Sequence, residues 1–292
     1  VNFSEYKNKK KDAPLISFEV FPPKDDPEFE KLKDILAKLA EFSPGIITVT
    51  HGAMGKGRKR TVEVASYIKN VIGTESACHL TCIGSSEKQI DMMLEQIEQE
   101  KIRNIVALRG DIPKEDGEKL LSEGAFQHAN QLVKHIRKYE KEKPQRFSIA
   151  VAGYPEKHIE SPSFEEDISN LKKKVDAGAD IIITQLFFDN RYYFDYVDRV
   201  RAAGIDLPVI PGLMPVLSSR QVIRISSLCG TEIPKALKKK LEDAGDDNRK
   251  AVEVGIAQCR DQARELIAEG APGIHFYVLN RTSHIEKILE SI

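Results

Sequence analysis

The sequence predicts an α/β fold: a (β/α)8 TIM barrel forming a single domain over residues 1–292, with extra helices before the last strand. Three observations carry this. Short apolar runs rich in β-branched residues recur about eight times along the chain. Segments with helical periodicity separate them, and no linker of low complexity divides the sequence. Near-continuously apolar strands are buried on both faces, as in a parallel sheet covered by helices, and eight strand–helix units suit a closed barrel better than an open sheet.

The strands read in order as "LISFEVF" (15–21), "GIITVTH" (45–51), "SACHLTCI" (76–83), "NIVALRG" (104–110), "FSIAVAG" (147–153), "DIIITQLFF" (180–188), "LPVIPGL" (207–213) and "GIHFYVL" (273–279). Between them lie helical patterns such as Ile90, Met93, Leu94 and Ile97, spaced i, i+3, i+4, i+7. Two further patterns, "IPKALKKKLEDA" and the 248–269 segment, precede the final strand, and a closing helix is expected over 283–291.

Composition narrows the function classes. A net charge of −1 gives no overall pull toward nucleic acid or an anionic membrane. The loop "GAMGKGRKR" after the second strand is basic and glycine-rich, but it fits neither GxGxxG nor GxxxxGK[ST] and holds no interleaved aromatics. It reads as an exposed loop or as an attractor for an anionic cosubstrate. No run approaches the roughly 18 apolar residues of a membrane span. The basic stretch "YKNKKKD" leads into a short apolar run carrying Glu19, a poor signal peptide, so a cytoplasmic location is expected. The four cysteines form no CxxC pair. Cys78 and Cys82 flank His79, but strand alternation puts them on the face opposite it, and no metal site is expected.

In a (β/α)8 barrel the chemistry belongs at the C-terminal ends of the strands. Glu19 ends the first, where Pro22 and Pro23 cannot continue a ladder. Arg109, Gly110 and Asp111 end the fourth, Tyr154 follows the fifth, Gln185 lies in the sixth, and Tyr277, Asn280 and Arg281 lie at the eighth. Each has a plainer reading: Glu19 as a buried acid neutralised by an interior arginine, Arg109 and Asp111 as partners of each other, Gln185 as a cap for a backbone group. In "FEEDISNLKKKVDAGAD", Ile168, Leu171 and Val175 form a buried stripe beside Asp167, Asn170 and Lys174. Spacing alone assigns the polar stripe to solvent.

Nine motifs in chain order, "SFEVFPPK", "VTHGA", "HLTCIG", "VALRGD", "AGYPEKH", "LKKKVDAGAD", "ITQLFFD", "IPGLMP" and "GIHFYVLNR", resemble methylenetetrahydrofolate reductase of the short bacterial, FAD-dependent type. They run from about residue 16 to residue 281. The resemblance implies a (β/α)8 barrel that transfers hydride from NAD(P)H through FAD to 5,10-methylenetetrahydrofolate by a ping-pong route. The product, 5-methyltetrahydrofolate, would supply methyl groups for methionine synthesis. It implies that Glu19 is the general acid, that Asp111 contacts the pterin and tunes the flavin, and that Gln185, Tyr277 and Arg281 hold the folate. For FAD the matching positions are Thr50, His79, Arg109, Gly110, Asp111, His128, Ala152, Tyr154, His158, Asp167, Asn170 and Lys174. The polar helix stripe thereby becomes a ligand face.

An acid that protonates a ring nitrogen must hold its proton near neutral pH, and an apolar barrel mouth beside Phe21 is expected to raise the pKa of Glu19. Two positions depart from the family. Ser219 stands where some bacterial members carry a stacking phenylalanine, and His128 where a tyrosine often lies near the adenine. A homo-oligomer is expected, and control by S-adenosylmethionine is not. Two other classes compete with this reading. A cofactor-free lyase or aldolase would want a Schiff-base lysine inside a strand, which the sequence lacks. A flavin- or folate-binding barrel without turnover would take its electrons from a partner protein.

Overall fold

A computed structural model describes residues 2, 3, 5, 14–51, 58–112, 124–245, 247–290 and 292. The basic stretch at 6–12 and most of the glycine-rich loop, residues 52–57, lie outside the described residues.

The strands are β1 (Leu15–Val20), β2 (Ile46–Val49), β3 (Ser76–Thr81), β4 (Asn104–Leu108), β5 (Ser148–Gly153), β6 (Ile181–Thr184), β7 (Val209–Ile210), β8 (Gly212–Leu213) and β9 (Gly273–Tyr277). Each pairs in parallel with its neighbours in the order β7-β6-β5-β4-β3-β2-β1-β9-β8. The two ends of that order are one barrel strand interrupted at Pro211. Val209 and Ile210 pair with β6, whereas Gly212 and Leu213 pair with β9. Pro211 has no N–H for the ladder, but its carbonyl accepts from His275 N at 2.9 Å, so the seam closes across it. The expected eight-stranded barrel is therefore present.

The helices are α1 (Asp26–Glu41), α2 (Arg58–Ser66) running into a π-helical turn (Tyr67–Ile72), α3 (Glu87–Gln99), α4 (Ala129–Tyr139), α5 (Phe164–Asp176), α6 (Asn190–Ala202), α7 (Ser219–Cys229), α8 (Lys235–Ala244), α9 (Asn248–Ala268) and α10 (Ser283–Leu289). The two extra helices foreseen before the last strand are α8 and α9. No helix among the described residues is long and apolar enough to cross a membrane.

Alternation along β1 sorts the core. Phe18 and Val20 face outward into the main cluster under the helices, with Leu36, Cys78, Leu80 and Phe276. Leu15 faces inward and joins Phe3, Ile46, Ala77, Val106, Ala150, Ile181, Ile183 and Ile210, which fill the lower barrel. Above this apolar floor the inward positions of β1 become Ser17 and Glu19. The expected sixth strand, 180–188, stops at Thr184. Beyond it the carbonyls of Phe187 and Phe188 are satisfied by Gln262 Nε2 at 3.2 Å and Gln258 Nε2 at 3.1 Å, both from α9, instead of by a strand partner.

Helix α9 is seated by Gly255, where an added Cβ would collide with the Val216 carbonyl. Intrinsic propensity favours alanine over glycine inside a helix by about 1 kcal/mol. The collision reverses the sign. Gly255→Ala is expected to destabilise the protein by about 1–3 kcal/mol in denaturant unfolding, where propensity alone would stabilise it.

Candidate functional site

Glu19 lies at the top of β1 with its side chain 13% exposed. Its Oε2 faces two imidazoles, His79 Nε2 at 3.1 Å from β3 and His275 Nε2 at 3.5 Å from β9. His275 is 1% exposed, and its Nδ1 lies 2.9 Å from Ser17 Oγ. The Ser17 hydroxyl also donates to the Ile274 carbonyl at 3.4 Å, so Ser17 ties the His275 ring to its own strand. The strand register explains this convergence. Ser17 pairs with His275 and Glu19 with Tyr277 across the β1–β9 seam, and every inward residue at that height meets the same axis.

This geometry corrects the expected pKa of Glu19. Burial pushes the carboxyl up, as anticipated, but the charge and hydrogen bonds of His79 and His275 outweigh it and hold Glu19 at about 2. Glu19 is thus a carboxylate near neutral pH. The sequence shows the apolar flank of the mouth but not His275, whose place beside Glu19 follows only from the pairing of β9 with β1.

Tyr277 completes the inner wall. Its hydroxyl donates to the Thr184 carbonyl at 2.7 Å, and its ring meets His275 edge-on at 5.2 Å between centroids. Gly212 makes room for it, since a Cβ there would come within 2.7 Å of the Tyr277 ring and would also strike the Thr184 carbonyl. Gln185 turns back on its own chain, its Oε1 accepting from Leu186 N at 2.9 Å. Leu279 and Asn280, at φ 52° and 54°, lie consecutively in the left-handed region, which costs about 1–2 kcal/mol per residue. Arg281 follows them and is exposed.

A second cluster spans β4, β5 and α5. Lys174 reaches inward from α5 and donates to the Ala152 carbonyl on β5, with Nζ–O 2.6 Å, and lies 5.7 Å from the Tyr154 ring centroid. Tyr154 packs edge-on against His158 at 4.6 Å between centroids. Asp167 is buried and accepts from Ser161 Oγ at 3.2 Å. The polar stripe of α5 therefore does not face solvent as spacing suggested; Asp167 and Lys174 turn toward the barrel rim. Asn170 stays at the helix surface, its Oδ1 accepting from Lys173 Nζ at 2.9 Å. Burial lowers the Lys174 pKa to about 8 against the opposing pull of Asp167, and burial raises that of Asp167.

Arg109 faces this cluster and is held by both oxygens of Glu160, at 2.7 and 2.8 Å. It does not pair with Asp111, which is exposed beyond β4. Gly110 takes φ 91°, and a Cβ there would come within 2.9 Å of Ile83 and 3.1 Å of Thr81. Thr50 closes β2, its N–H donating to the Val20 carbonyl at 3.0 Å. His128 is exposed at the N-terminal cap of α4, while Ser219 opens α7 with its hydroxyl donating to the Leu241 carbonyl at 3.3 Å. Cys78 and Cys82 pack into the outer core on the side of β3 opposite His79, as alternation required.

The donor set of the second cluster suits a dinucleotide such as FAD. Arg109 and Lys174 supply two cations for a diphosphate, Asp167 an acceptor for hydroxyls, Tyr154 and His158 ring faces, and Gly110 an approach free of a side chain. Lys174 also gives the fold a measurable signature. Between its lowered pKa of about 8 and its ordinary 10.5, the unfolded chain binds more protons than the folded one, so stability rises with pH in that window. The unfolding free energy of the unliganded wild type, relative to Lys174→Met, is expected to grow by on the order of 2 kcal/mol from pH 8 to 10.5 in denaturant titrations.

Comparison with known proteins places the chain among relatives. The family model for methylenetetrahydrofolate reductase matches residues 5–292. Methylenetetrahydrofolate reductase (NADH) 1 of Arabidopsis thaliana is 38% identical over 275 residues, covering 91% of this chain and 46% of that one. The chain thus spans about half the length of the plant relatives it matches. The 5,10-methylenetetrahydrofolate reductase of Escherichia coli (strain K12) is 36% identical over 266 residues, covering 91% of this chain and 86% of that one. Among solved structures, an uncharacterized protein from Clostridium thermocellum, described as binding two copies of 5-methyl-5,6,7,8-tetrahydrofolic acid, superposes with a TM-score of 0.65. It covers 99% of this chain and 97% of its own at 13% identity, a likeness of fold alone. The family model and the Escherichia coli relative carry one conclusion: the chain belongs to the methylenetetrahydrofolate reductase family.

Proposed function

We propose that this chain reduces 5,10-methylenetetrahydrofolate to 5-methyltetrahydrofolate, with NAD(P)H as hydride donor and FAD as the relay between two half-reactions at one site. The observation that carries this reading is the carboxylate of Glu19, gripped by two histidines at the barrel mouth of a chain belonging to this family. FAD, when bound, would supply a hydride acceptor for the nicotinamide and a hydride donor for the folate. All remaining chemistry falls to the protein.

Opening the five-membered ring of the folate requires a proton on a ring nitrogen, which releases the methylene carbon as an iminium ready for hydride. Glu19 delivers that proton. It takes that proton from solvent as the folate docks, while His79 and His275 hold the carboxyl in place. A substrate ring covering the mouth removes the exposed edge of Glu19, and this added desolvation favours the neutral acid at the moment it is needed. The family resemblance assigns Tyr277, Gln185 and Arg281 to the folate and Asp111 to its pterin. Arg109, Tyr154, His158, Asp167 and Lys174 hold the dinucleotide, with Thr50, His79, Gly110, His128, Ala152 and Asn170 along its path. The family resemblance also supports a homo-oligomer and a role in supplying methyl groups.

An anaerobic visible spectrum tests the reading directly: bound flavin should bleach on addition of NADH and return with methylenetetrahydrofolate. A protein that cannot be loaded with FAD, or whose flavin NADH leaves oxidised, overturns it. Glu19→Gln should slow the folate half-reaction by at least about a hundredfold while leaving flavin reduction largely intact. Equal loss of both halves would remove the acid from this role. FAD affinity should weaken as pH rises through about 8, where Lys174 loses its charge.

A further inference from the structure

Phe21 is the only aromatic among the exposed large hydrophobic residues described, at 45% exposure. It stands at the exit of β1, two residues beyond Glu19, so strand alternation assigns it to the inward-facing series of Leu15, Ser17 and Glu19 and lifts it about 7 Å above the acid.

Its backbone is unusually well fixed for a residue so exposed. Phe21 N–H donates to Asn280 Oδ1 at 2.8 Å, and Asn280 Nδ2 donates back to the Phe21 carbonyl at 3.0 Å. One side-chain amide thus substitutes for a strand partner just where β1 ends. Pro22 confines Phe21 further, because the residue before a proline is driven to extended conformations. The clamp depends on the left-handed pair Leu279–Asn280. Leu279 turns into the apolar cluster beneath α7–α9, and Asn280 turns back toward β1. Strain of this kind persists where surrounding structure holds it, and here it holds an aromatic ring open to solvent at the rim of the site. An exposed ring on an immobilised backbone meets a flat ligand with little further loss of conformational freedom.

Building on the proposed function, we propose that Phe21 is a substrate-positioning surface: its ring packs against the flat heterocycle that enters over Glu19, the reduced pterin or the dihydronicotinamide, and Asn280 holds it in place. The reading is tested on FAD-loaded full-length protein with two probes. Binding of 5-methyltetrahydrofolate to the oxidised enzyme is followed by flavin difference spectra, and the NADH concentration dependence of flavin reduction is followed by stopped flow. Phe21→Ala should weaken at least one of the two by about tenfold, Phe21→Trp should restore it, and Asn280→Ala should weaken the same ligand with the ring still present. FAD loading and melting temperature should stay close to wild type in Phe21→Ala. Loss for folate alone assigns the surface to the pterin, and loss for both assigns it to either ring in turn. Wild-type affinity for both probes in Phe21→Ala overturns the inference. So does a Phe21→Trp variant as weak as alanine, or a changed oligomeric mass in light scattering with ligand affinity intact. Failure of the wild-type protein itself to bind folate would instead overturn the proposed function.

Discussion

The pairing of the first strand with the last is the constraint on which the site depends. Parallel strands share no hairpin, so β1 and β9 meet only after the whole chain has wound round the barrel, and a parallel pair holds its register through slanted, evenly spaced bonds. The register that sets Ser17 against His275 also sets Glu19 against Tyr277. A slip of one residue would turn His275 and Tyr277 outward and bring Ile274 and Phe276, now in the outer core, to the axis. That would leave Glu19 over an apolar wall and strand two polar groups among helices. The chemistry at the mouth and the packing of the outer core therefore select the same register, each by penalising the alternative.

The second cluster shows the opposite economy. Asp167 is buried on one face of α5, and Lys174 beside it, bonded to the Ala152 carbonyl, sits well below its ordinary pKa because burial disfavours its charge. A helix optimised for stability alone would carry apolar residues there. Arg109 is satisfied more fully, by the two oxygens of Glu160, yet Glu160 is itself 52% exposed, so the pair is anchored on one side only. These groups burden the fold in the free protein, as binding sites commonly do.

Much of this was legible in the sequence. The recurring apolar runs fixed the number of barrel strands, and the proline pair after Glu19 placed that acid at a strand end. Alternation in "CHLTC" separated the two cysteines from His79. The misses have physical causes. The sixth strand reads too long in the sequence because "QLFF" is as apolar as a strand, whereas the carbonyls of Phe187 and Phe188 are satisfied by glutamines of α9, far away in sequence. The stripe of α5 reads as solvent-facing because a helix seen alone has one buried face, whereas Asp167 and Lys174 turn toward the barrel rim. His275 lay unnoticed in "GIHFYVL" because its partners, Ser17 and Glu19, lie 258 and 256 positions away.

Both imidazoles address the same oxygen of Glu19, Oε2. The two oxygens of a carboxylate in water are interchangeable; these are not. Rotating the group by half a turn would exchange them, but the rotation must break the contacts to His79 and His275 together. Glu19 thus has one oxygen committed to the two histidines and a second that takes no part in that pairing. A symmetrical functional group has been given two unlike oxygens.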